Sequence, residues 1–482
     1  MIAAARERLL PMAIDRMNPM DAWFLYAEDD GVNHMHILSF IFLEGPPPAY
    51  GKLLELIRGK LPLLPRYRQV VRTMPLHAGR PIWVDDRDFD LEYHVRQTAL
   101  PQPGDEAALE RLVSRVMSQR LDRARPLWEL WSVEGLADGR WALISKLHHA
   151  MVDGVAGADM ISIMLDKARR PRKRPPDPWT PAPPPTRLAL ACDAAESIVR
   201  SPVQVARGAV SAVRGPVAAA ETAVAGLALG RRAARGGSAS TLNGRIGPSR
   251  RYTWTSYPLE DVKRVRRALG GTLNDVVVAT ATRGFRDLLL ARGEALEGST
   301  VRVIIPIALH ARDARGTAVA GGFYENRITG VVADLPVGVE DPIERARLIR
   351  EQLTMLKASK QGAAGDAITK LAGFAPATFL ALGQRAAAQM HQSRVNSVVS
   401  NVPGPQVPLY ALGRRVLAAH PSPPIFPVGA RTGVAVFSYD GNLHFGVIAD
   451  YSSVPDVHVL RDGIRAGLEE LLVAAEDMAA VG

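Results

Sequence analysis

Residues 148–154 read His148-His149-Ala150-Met151-Val152-Asp153-Gly154, and this stretch decides how the rest of the chain is interpreted. It follows Trp141–Leu147, an apolar run that predicts a β-strand. A neutral imidazole accepts a proton from a hydroxyl group near pH 7, because its ordinary pKa lies there. Asp153 and Gly154 favour a tight turn that would hold the histidines in place. The stretch is therefore a candidate site for general base chemistry.

Two other interpretations of the histidine pair stay open at this point. The pair could be half of a metal site, or it could be two polar residues at the rim of a sheet. The remaining histidines are scattered and Cys192 is the single cysteine, so no second cluster has the spacing of zinc ligands. The one rival pair is His34 and His36, whose rings would share a face if they lay in a strand. From the sequence we therefore predict no metal site.

The size and composition of the chain predict a globular protein with more than one lobe. With 482 residues, of which 47% are hydrophobic and 22% charged, the chain is too long for a single ordinary core. A single cysteine excludes a disulfide framework and predicts a cytoplasmic location. The first residues lack the apolar segment of a signal peptide, and no run of about 18 apolar residues predicts a transmembrane helix. Any association with a membrane is therefore expected to be peripheral.

The positive charge of the chain is concentrated in one segment. Of the formal net charge of +10, residues 167–251 contribute an excess, with sixteen Lys or Arg against four Asp or Glu, and the remainder is nearly neutral. Such a segment could attract anionic lipid headgroups or the phosphates of coenzyme A, and it could equally be a solvated linker. No recognised nucleic-acid-binding module accompanies the charge, so we expect no nucleic acid partner.

Changes in composition along the chain predict its organisation. A proline-rich and then alanine-rich stretch, which cannot form a central strand, divides two segments with alternating strand and helix patterns. We therefore predict an N-terminal extension at 1–17, a first lobe at 18–168, a basic crossover linker at 169–245 and a second lobe at 246–482. The predicted strands include 35–43, 93–95, 128–133, 251–254, 301–307, 395–400, 432–438 and 443–449, and the predicted helices include 50–60, 106–121, 157–168, 259–269, 272–292, 342–357 and 459–475.

Four further short segments stand at intervals along both lobes. They are Asn18–Phe24, Arg125–Trp128, Leu273–Val277 and Ser400–Pro405. Each has an ordinary structural explanation when taken alone: Asn and Asp cap helices, Pro-Gly makes a turn, and Trp fills a core.

Together with residues 148–154, and in this order, these segments resemble the bacterial wax ester synthase/diacylglycerol acyltransferase family. The resemblance covers nearly the whole chain from Asn18 onward, which makes Met12 and Met17 candidate start codons. It implies an α/β fold of two lobes like that of chloramphenicol acetyltransferase, with a tunnel between the lobes. Acyl-CoA would enter one side of the tunnel and a lipid alcohol the other.

The resemblance also implies roles for individual residues. His149 would be the general base, His148 would support it, and Asp153 would anchor the turn, with a charge-relay partner as the alternative role for Asp153. Asn274 would contact the oxyanion or the substrate carbonyl group, although helix capping is an alternative explanation for that residue. Ser400 and Asn401 would line the substrate tunnel. No Gly-x-Ser-x-Gly elbow is present, which disfavours a hydrolase with a serine nucleophile.

The implied activity is the esterification of diacylglycerol, and of long-chain alcohols, with long-chain acyl-CoA as co-substrate and without a bound cofactor. Two departures from the family pattern, Ala308-Leu309-His310 and Glu325-Asn326, keep another hydroxyl acceptor open. A third alternative is a protein of lipid surfaces with little activity, which the basic linker would suit. We expect the protein in the cytoplasm, at the inner face of the membrane or on lipid inclusions.

Overall fold

The computed structural model describes residues 14–73, 80–151, 163–170, 177–186, 189–190, 240–308, 328–358, 395–426 and 429–481. The elements of the first half of the chain are α1 (Pro19–Ala27), β1 (His36–Leu43), α2 (Tyr50–Lys60), β2 (Gln69–Arg72), β3 (Ile82–Asp85), α3 (Leu91–His94), β4 (Val95–Ala99), α4 (Glu106–Ser118), β5 (Trp128–Glu134) and β6 (Trp141–His148). Those of the second half are β7 (Arg250–Pro258), α5 (Leu259–Leu269), α6 (Leu273–Ala291), β8 (Val301–Ala308), β9 (Ile328–Leu335), α7 (Pro342–Ala358), β10 (Ser397–Val402), β11 (Tyr410–Ala411), β12 (Arg414–Ser422), β13 (Thr432–Tyr439), β14 (Asn442–Asp450) and α8 (Val457–Val481).

The first sheet is built around β1, with strand order β11-β12-β1-β6-β5-β4. Its strands pair antiparallel except β4 and β5. Because side chains alternate along a strand, β1 contributes Phe40 and Phe42 to one apolar cluster and Ile41 and Leu43 to another. Both faces of the strand are therefore buried, which explains why it reads as a nearly continuous apolar run.

The second sheet has the order β7-β14-β13-β10-β8-β9, with β10 parallel to both of its neighbours. Helices α6 and α8 pack together beside this sheet, and their apolar residues join its core. The helices approach closely at Gly284, where an added Cβ atom would lie 2.7 Å from the carbonyl oxygen of Leu460. A larger residue at position 284 would therefore force the two helices apart.

Helix α4 of the first lobe covers the edge strand β7 of the second sheet. The hydroxyl of Ser114 accepts a hydrogen bond from the backbone N–H of Tyr252 at 2.9 Å. One helical turn further on, the hydroxyl of Ser118 accepts one from the N–H of Arg250 at 2.8 Å. An edge strand has unpaired N–H groups, so these hydroxyls satisfy donors that a neighbouring strand would otherwise pair with. The two lobes are thus joined by a polar seam of defined register.

The predicted boundary between the lobes at residue 246 does not separate the two sheets. Strand β12 lies far along the second half of the chain, yet it pairs with β1 from Leu38 opposite Ser422 to Leu43 opposite Val416. The segment alternates in polarity only weakly and contains Pro421, so its sequence did not predict a strand. The first lobe is therefore completed by a segment of the second half.

Several sequence predictions are corrected locally. The predicted strand at 93–95 is wrong, because Asp90 caps a short helix there, accepting a hydrogen bond from the N–H of Glu92, and the strand begins only at Val95. The predicted extension at 1–17 ends too late, since the N–H of Met17 donates to the carbonyl of Pro81 within the first lobe. Most other predicted helices and strands are confirmed to within a few residues.

The proline-rich part of the linker packs against the first lobe. The guanidinium of Arg68 lies 4.3 Å from the centre of the Trp179 ring, and the backbone N–H of Ala182 donates to the Asp85 carboxylate at 3.0 Å. Residues 177–186 form neither helix nor strand, as their prolines predict. The first half of the predicted helix at 157–168, and nearly all of the alanine-rich part of the linker, lie outside the described residues; within 163–168 only Ile163 and Met164 are helical, because Asp166 already forms a β-bridge with Tyr410. Among the described helices none is both long enough and apolar enough to cross a membrane.

Candidate active site

The two adjacent histidines lie where β6 ends. His148 is the last residue of the strand and pairs with His36 of β1. His149 begins a single 3₁₀ turn that ends at Met151. Its backbone N–H donates to the carbonyl of Met35 at 2.7 Å. This hydrogen bond continues the pairing of β6 with β1 by one residue beyond His148 and His36. The strand thus points the two imidazoles in different directions and gives them different surroundings.

The imidazole of His148 is completely buried and has a defined orientation. Its Nδ1 atom accepts a hydrogen bond from the backbone N–H of Ala150 at 3.0 Å. A nitrogen that accepts cannot carry the proton, so in the neutral ring the proton lies on Nε2. That Nε2 atom lies 3.4 Å from the Oε1 atom of Glu28. His148 therefore links the turn that carries His149 to a carboxylate.

Glu28 is the residue that the sequence analysis missed. It caps the C-terminus of α1 and is only 2% exposed, and its Oε1 atom accepts a hydrogen bond from the N–H of Met35 at 2.6 Å. Burial by itself would raise the pKa of Glu28, but the contact with the His148 ring and the hydrogen bond from the Met35 N–H outweigh it and hold the pKa well below its usual range. The carboxylate is therefore ionised.

The charge of Glu28 is shared with cations at the surface. The Oε2 atom lies 3.5 Å from a guanidinium nitrogen of Arg123 and 4.0 Å from one of Arg120. Glu28 is followed directly by Asp29 and Asp30, so in the sequence it is one of three acidic residues in a row. Glu28 precedes Met35 by seven residues, and no local pattern in the sequence predicts that the chain folds back to bring the Met35 N–H to the Glu28 carboxylate.

His149 lies against an aromatic ring. Its imidazole stacks on Phe24 of α1, with ring centres 3.9 Å apart and planes 25° from parallel. Burial lowers the pKa of His149 to about 4. The backbone of the same residue acts to raise this pKa, but burial has the larger effect. The buried Nδ1 atom has no hydrogen-bond partner in the part of the chain described here. At neutral pH the ring is therefore uncharged, as a general base must be before it accepts a proton.

Two amide side chains meet in the second lobe. The Nδ2 atom of Asn401, in β10, donates to the Oδ1 atom of Asn274 at 3.2 Å. Asn274 does not cap α6, because Thr272 and Asp275 form the capping box of that helix. Helix capping is thus the wrong explanation for Asn274, and its amide is available for another role.

The turn that follows Asn401 is closely packed. An added Cβ atom at Gly404 would lie 2.3 Å from both the Phe437 ring and the carbonyl oxygen of Ser438, so only glycine fits. Ser400 precedes Asn401 in β10 and is half-buried. This packing positions the end of β10 beside the start of α6.

The predicted site residues therefore form two groups. His148 and His149 lie together in the first lobe, and Asn274, Ser400 and Asn401 lie together in the second. Within the described residues no hydrogen bond joins one group to the other. Asp153 lies outside the described residues, as do His310, Glu325 and Asn326.

The rival pair His34 and His36 is buried beneath the first group. The two ring centres are 5.1 Å apart, and the Nε2 atom of His36 is 3.1 Å from the carbonyl oxygen of Met117. Burial lowers the pKa of His34 to about 4 and that of His36 well below its usual range. Across the described ranges, no group of three or more His, Cys, Asp or Glu residues could hold a metal ion.

Two mixed sheets joined at a seam, with a histidine pair at the end of a central strand, define an acyltransferase of the His-His-x-x-x-Asp-Gly class. Comparison with known proteins identifies the family. Residues 17–277 match the wax ester synthase/diacylglycerol acyltransferase catalytic domain, and residues 324–472 match the C-terminal domain of the same family. The chain belongs to the wax ester synthase/diacylglycerol acyltransferase family and is an enzyme, which confirms the resemblance seen in its sequence.

Individual relatives agree with this assignment. A Mycobacterium tuberculosis protein named "Probable diacyglycerol O-acyltransferase" is 34% identical over 475 residues, covering 96% of this chain and 97% of the relative. The structure of the wax ester synthase/diacylglycerol acyltransferase from Marinobacter aquaeolei VT8 matches with a TM-score of 0.68 and 26% identity, covering 96% of this chain and 100% of that one.

A more distant structure shares the fold alone. The first condensation domain of the calcium-dependent antibiotic synthetase matches with a TM-score of 0.60 at 16% identity, covering 97% of each chain. The predicted two-lobed α/β fold is thereby confirmed. The predicted tunnel between the lobes stays a prediction.

Proposed function

We propose that the protein transfers the acyl group of long-chain acyl-CoA to the free hydroxyl of diacylglycerol, forming triacylglycerol, with long-chain alcohols as second acceptors. The observation that carries the proposal is the half-buried imidazole of His149 at the end of β6, which its surroundings keep neutral. The relative from M. tuberculosis is named for diacylglycerol and that from M. aquaeolei for both activities, which supports this choice of acceptors.

In the proposed reaction His149 is the general base. It accepts the hydroxyl proton while the alcohol oxygen forms a bond to the thioester carbonyl carbon. The resulting tetrahedral intermediate collapses, the carbon–sulfur bond breaks, and the imidazolium returns its proton to the departing thiolate of coenzyme A. Such proton transfer contributes roughly a hundred- to ten-thousand-fold in rate. No covalent acyl-enzyme and no bound cofactor are needed, because acyl-CoA is a co-substrate.

The residues around His149 have supporting roles in this scheme. His148 and Glu28 hold the turn that carries the base, through the contact of 3.4 Å between them and the hydrogen bond from Met35. The negative charge of Glu28 also favours the transient imidazolium, since opposite charges attract strongly in a region of low dielectric constant. We assign Asp153 the structural role in the same turn that its position in the motif implies.

The amide pair of the second lobe is the proposed contact for the reacting carbonyl group. An amide N–H stabilises a developing oxyanion when it is positioned before the reaction begins. Asn274 and Asn401 position each other, and the end of β10 is held by Gly404. Ser400 and Asn401 would line the path of the acyl-CoA.

Because both substrates and the product are lipids, we further propose that the enzyme works in the cytoplasm at a lipid surface, either the inner face of the membrane or lipid inclusions. The excess of Lys and Arg in residues 167–251 supports this, since anionic headgroups attract basic segments. Binding to vesicles with and without anionic lipid, for the full chain, tests this part separately. Equal binding to both kinds of vesicle would contradict an electrostatic contribution.

The test of the reaction is transfer from labelled palmitoyl-CoA by the wild-type protein and by His149→Ala, with dipalmitoylglycerol and hexadecanol offered in parallel. We expect ester formation that falls at least about a hundredfold in the variant. The exposed His458 in α8 supplies a control, because His458→Ala should retain full activity. Absence of ester from either alcohol would overturn the proposed acceptors and favour another hydroxyl acceptor or a surface protein with little activity. If His149→Ala turned over as fast as the wild-type protein, the assignment of His149 as the general base would be wrong.

A further inference from the structure

Among the described residues, no carboxylate side chain orients the His149 ring directly. In catalytic triads a carboxylate hydrogen-bonds to the second ring nitrogen and so fixes the plane of the base. Here the buried carboxylate of Glu28 lies beside His148, the neighbour of the base. The Nδ1 atom of His149 is buried and accepts or donates no hydrogen bond among the residues described. The aromatic ring stacked on His149 is a described contact that can hold the imidazole plane.

Phe24 makes the contact that could do so. Its ring lies 3.9 Å from the centre of the imidazole, nearly parallel to it, and is itself only 5% exposed. Two flat rings in contact at this angle restrict rotation of the imidazole about its Cβ–Cγ bond, because turning would push one ring edge into the other face. The same contact excludes water from that face.

The helix that carries Phe24 is fixed at both ends. At its start the side chain of Asn18 accepts a hydrogen bond from the N–H of Asp21 at 2.8 Å, and Pro19 occupies the first turn. At its end Glu28 is tied to Met35 and faces His148. Trp23 supports the Phe24 ring from the side, with ring centres 5.2 Å apart. The aromatic ring is therefore presented to His149 by a rigid element.

We propose that Phe24 is the positioning residue for His149: its ring fixes the plane of the imidazole and excludes water from the face that it covers. The inference rests on the proposed role of His149 as the general base. It gives a function in the reaction to the segment Asn18–Phe24, whose sequence indicated a helix start and a family motif but no chemical role.

The experiment compares Phe24→Leu, which keeps an apolar side chain but loses the flat ring, with Phe24→Tyr, which keeps the ring. We expect Phe24→Leu to lower kcat roughly tenfold with little change in KM for palmitoyl-CoA, since misplacing a catalytic group slows the chemical step. The acidic limb of the pH profile should also move to higher pH, toward the ordinary pKa of histidine. Phe24→Tyr should restore most of kcat and the wild-type pH profile.

A matched control exists within the same lobe. Phe89 stacks on the buried His94 in a similar way, with ring centres 5.4 Å apart and planes 16° from parallel. Phe89→Leu removes a looser aromatic contact with a histidine that has no part in the proposed reaction and that also stacks on Trp128. It should leave the acidic limb of the pH profile in place, so a shift seen with Phe24→Leu could not be attributed to a general loss of packing.

Three outcomes are distinguishable. Loss of activity in His149→Ala together with an unchanged kcat and pH profile in Phe24→Leu would overturn the positioning role and leave the base intact. Retained activity in His149→Ala would overturn the proposed function itself. If Phe24→Leu and Phe24→Tyr were equally slow, although folded by circular dichroism, the flat ring would not be the property that matters and the inference would fail.

Discussion

The two lobes supply the site with groups of opposite character. The first lobe contributes a buried carboxylate, a fully buried histidine and a base stacked on an aromatic ring. The second contributes half-buried amides that are neutral at every pH and bond to each other. Groups that exchange protons thus lie where the surroundings set their pKa, whereas groups that only donate hydrogen bonds lie nearer solvent. The difference predicts that substitutions in the two lobes will affect the enzyme in different ways.

The largest effect in the first lobe, apart from loss of the base, is expected for Glu28→Gln. The amide keeps the size of the side chain but removes the charge that faces His148 and the surface arginines, so the turn carrying His149 loses its anchor. We expect kcat to fall by up to about a hundredfold and the free energy of unfolding to fall by about 3 kcal/mol. Steady-state kinetics and urea denaturation measure the two effects.

The neighbouring Asp29 supplies the control for this substitution. Asp29 pairs with Arg123 at 2.9 Å and is exposed at the surface. Asp29→Asn should therefore change the free energy of unfolding by less than about 1 kcal/mol and leave kcat unchanged. A similar loss of activity in both variants would show that the buried contact with His148 has no special importance.

The second lobe should respond through activity and not through stability. We expect Asn274→Ala and Asn401→Ala each to lower kcat about tenfold, somewhat less than loss of a fully formed oxyanion contact. Because the two amides position each other, the double variant should be little worse than either single one. By contrast Thr272→Ala, two residues away, should cost about 1 kcal/mol through loss of the helix cap and spare kcat.

A kinetic cycle of the two single variants and the double variant tests this prediction. Multiplying effects, about a hundredfold in the double variant, would mean that the two amides act independently. A large loss of stability in Asn274→Ala would return that residue to a purely structural role.

Buried histidines, which occur in both lobes, predict how the fold responds to acid. Burial lowers the pKa of His34, His149 and His444 to about 4, below the ordinary value of 6.5. Between these pH values the unfolded chain binds protons that the folded chain does not, so stability is full above pH 6.5 and falls as the pH drops toward 4. Each of these histidines contributes up to about 1.4 kcal/mol per pH unit in this window.

Urea denaturation at pH 7, 5.5 and 4.5 measures how steeply the free energy of unfolding changes with pH. His34→Gln should make the slope shallower, because one of the buried titrating groups is removed. The control His458→Gln, at an exposed position, should leave it as it is. Stability independent of pH across this range would contradict the burial of neutral histidines.

The smallest expected effect lies at the seam between the lobes. Ser114→Ala removes the acceptor for the Tyr252 N–H at the covered edge of the second sheet. We expect a loss of about 1 kcal/mol in the free energy of unfolding, with kcat unchanged. A fall in kcat at constant stability would instead show that the seam controls how the two groups of the site face each other.

Much of this molecule could be predicted from local patterns. Strand β6 and the histidines at its end, helix α2, helix α5 and the strands β13 and β14 follow from hydrophobic periodicity and turn residues, which depend only on neighbours in the chain. The five short motifs were sufficient to identify the family. Periodicity failed at β12, whose weak alternation and Pro421 disguise a strand that is stabilised by pairing with β1.

What the sequence by itself determined was the identity of the chemistry: a histidine pair in a tight turn and the motifs that accompany it. Only the tertiary structure decided what surrounds each imidazole. Glu28 and His148 are 120 positions apart, and Phe24 and His149 are 125 apart, so no local pattern could have joined them. They meet because β1 and β6 pair in register and α1 folds back over the end of both strands. The electrostatics of a base depend on such distant neighbours, since burial and facing charges set its pKa.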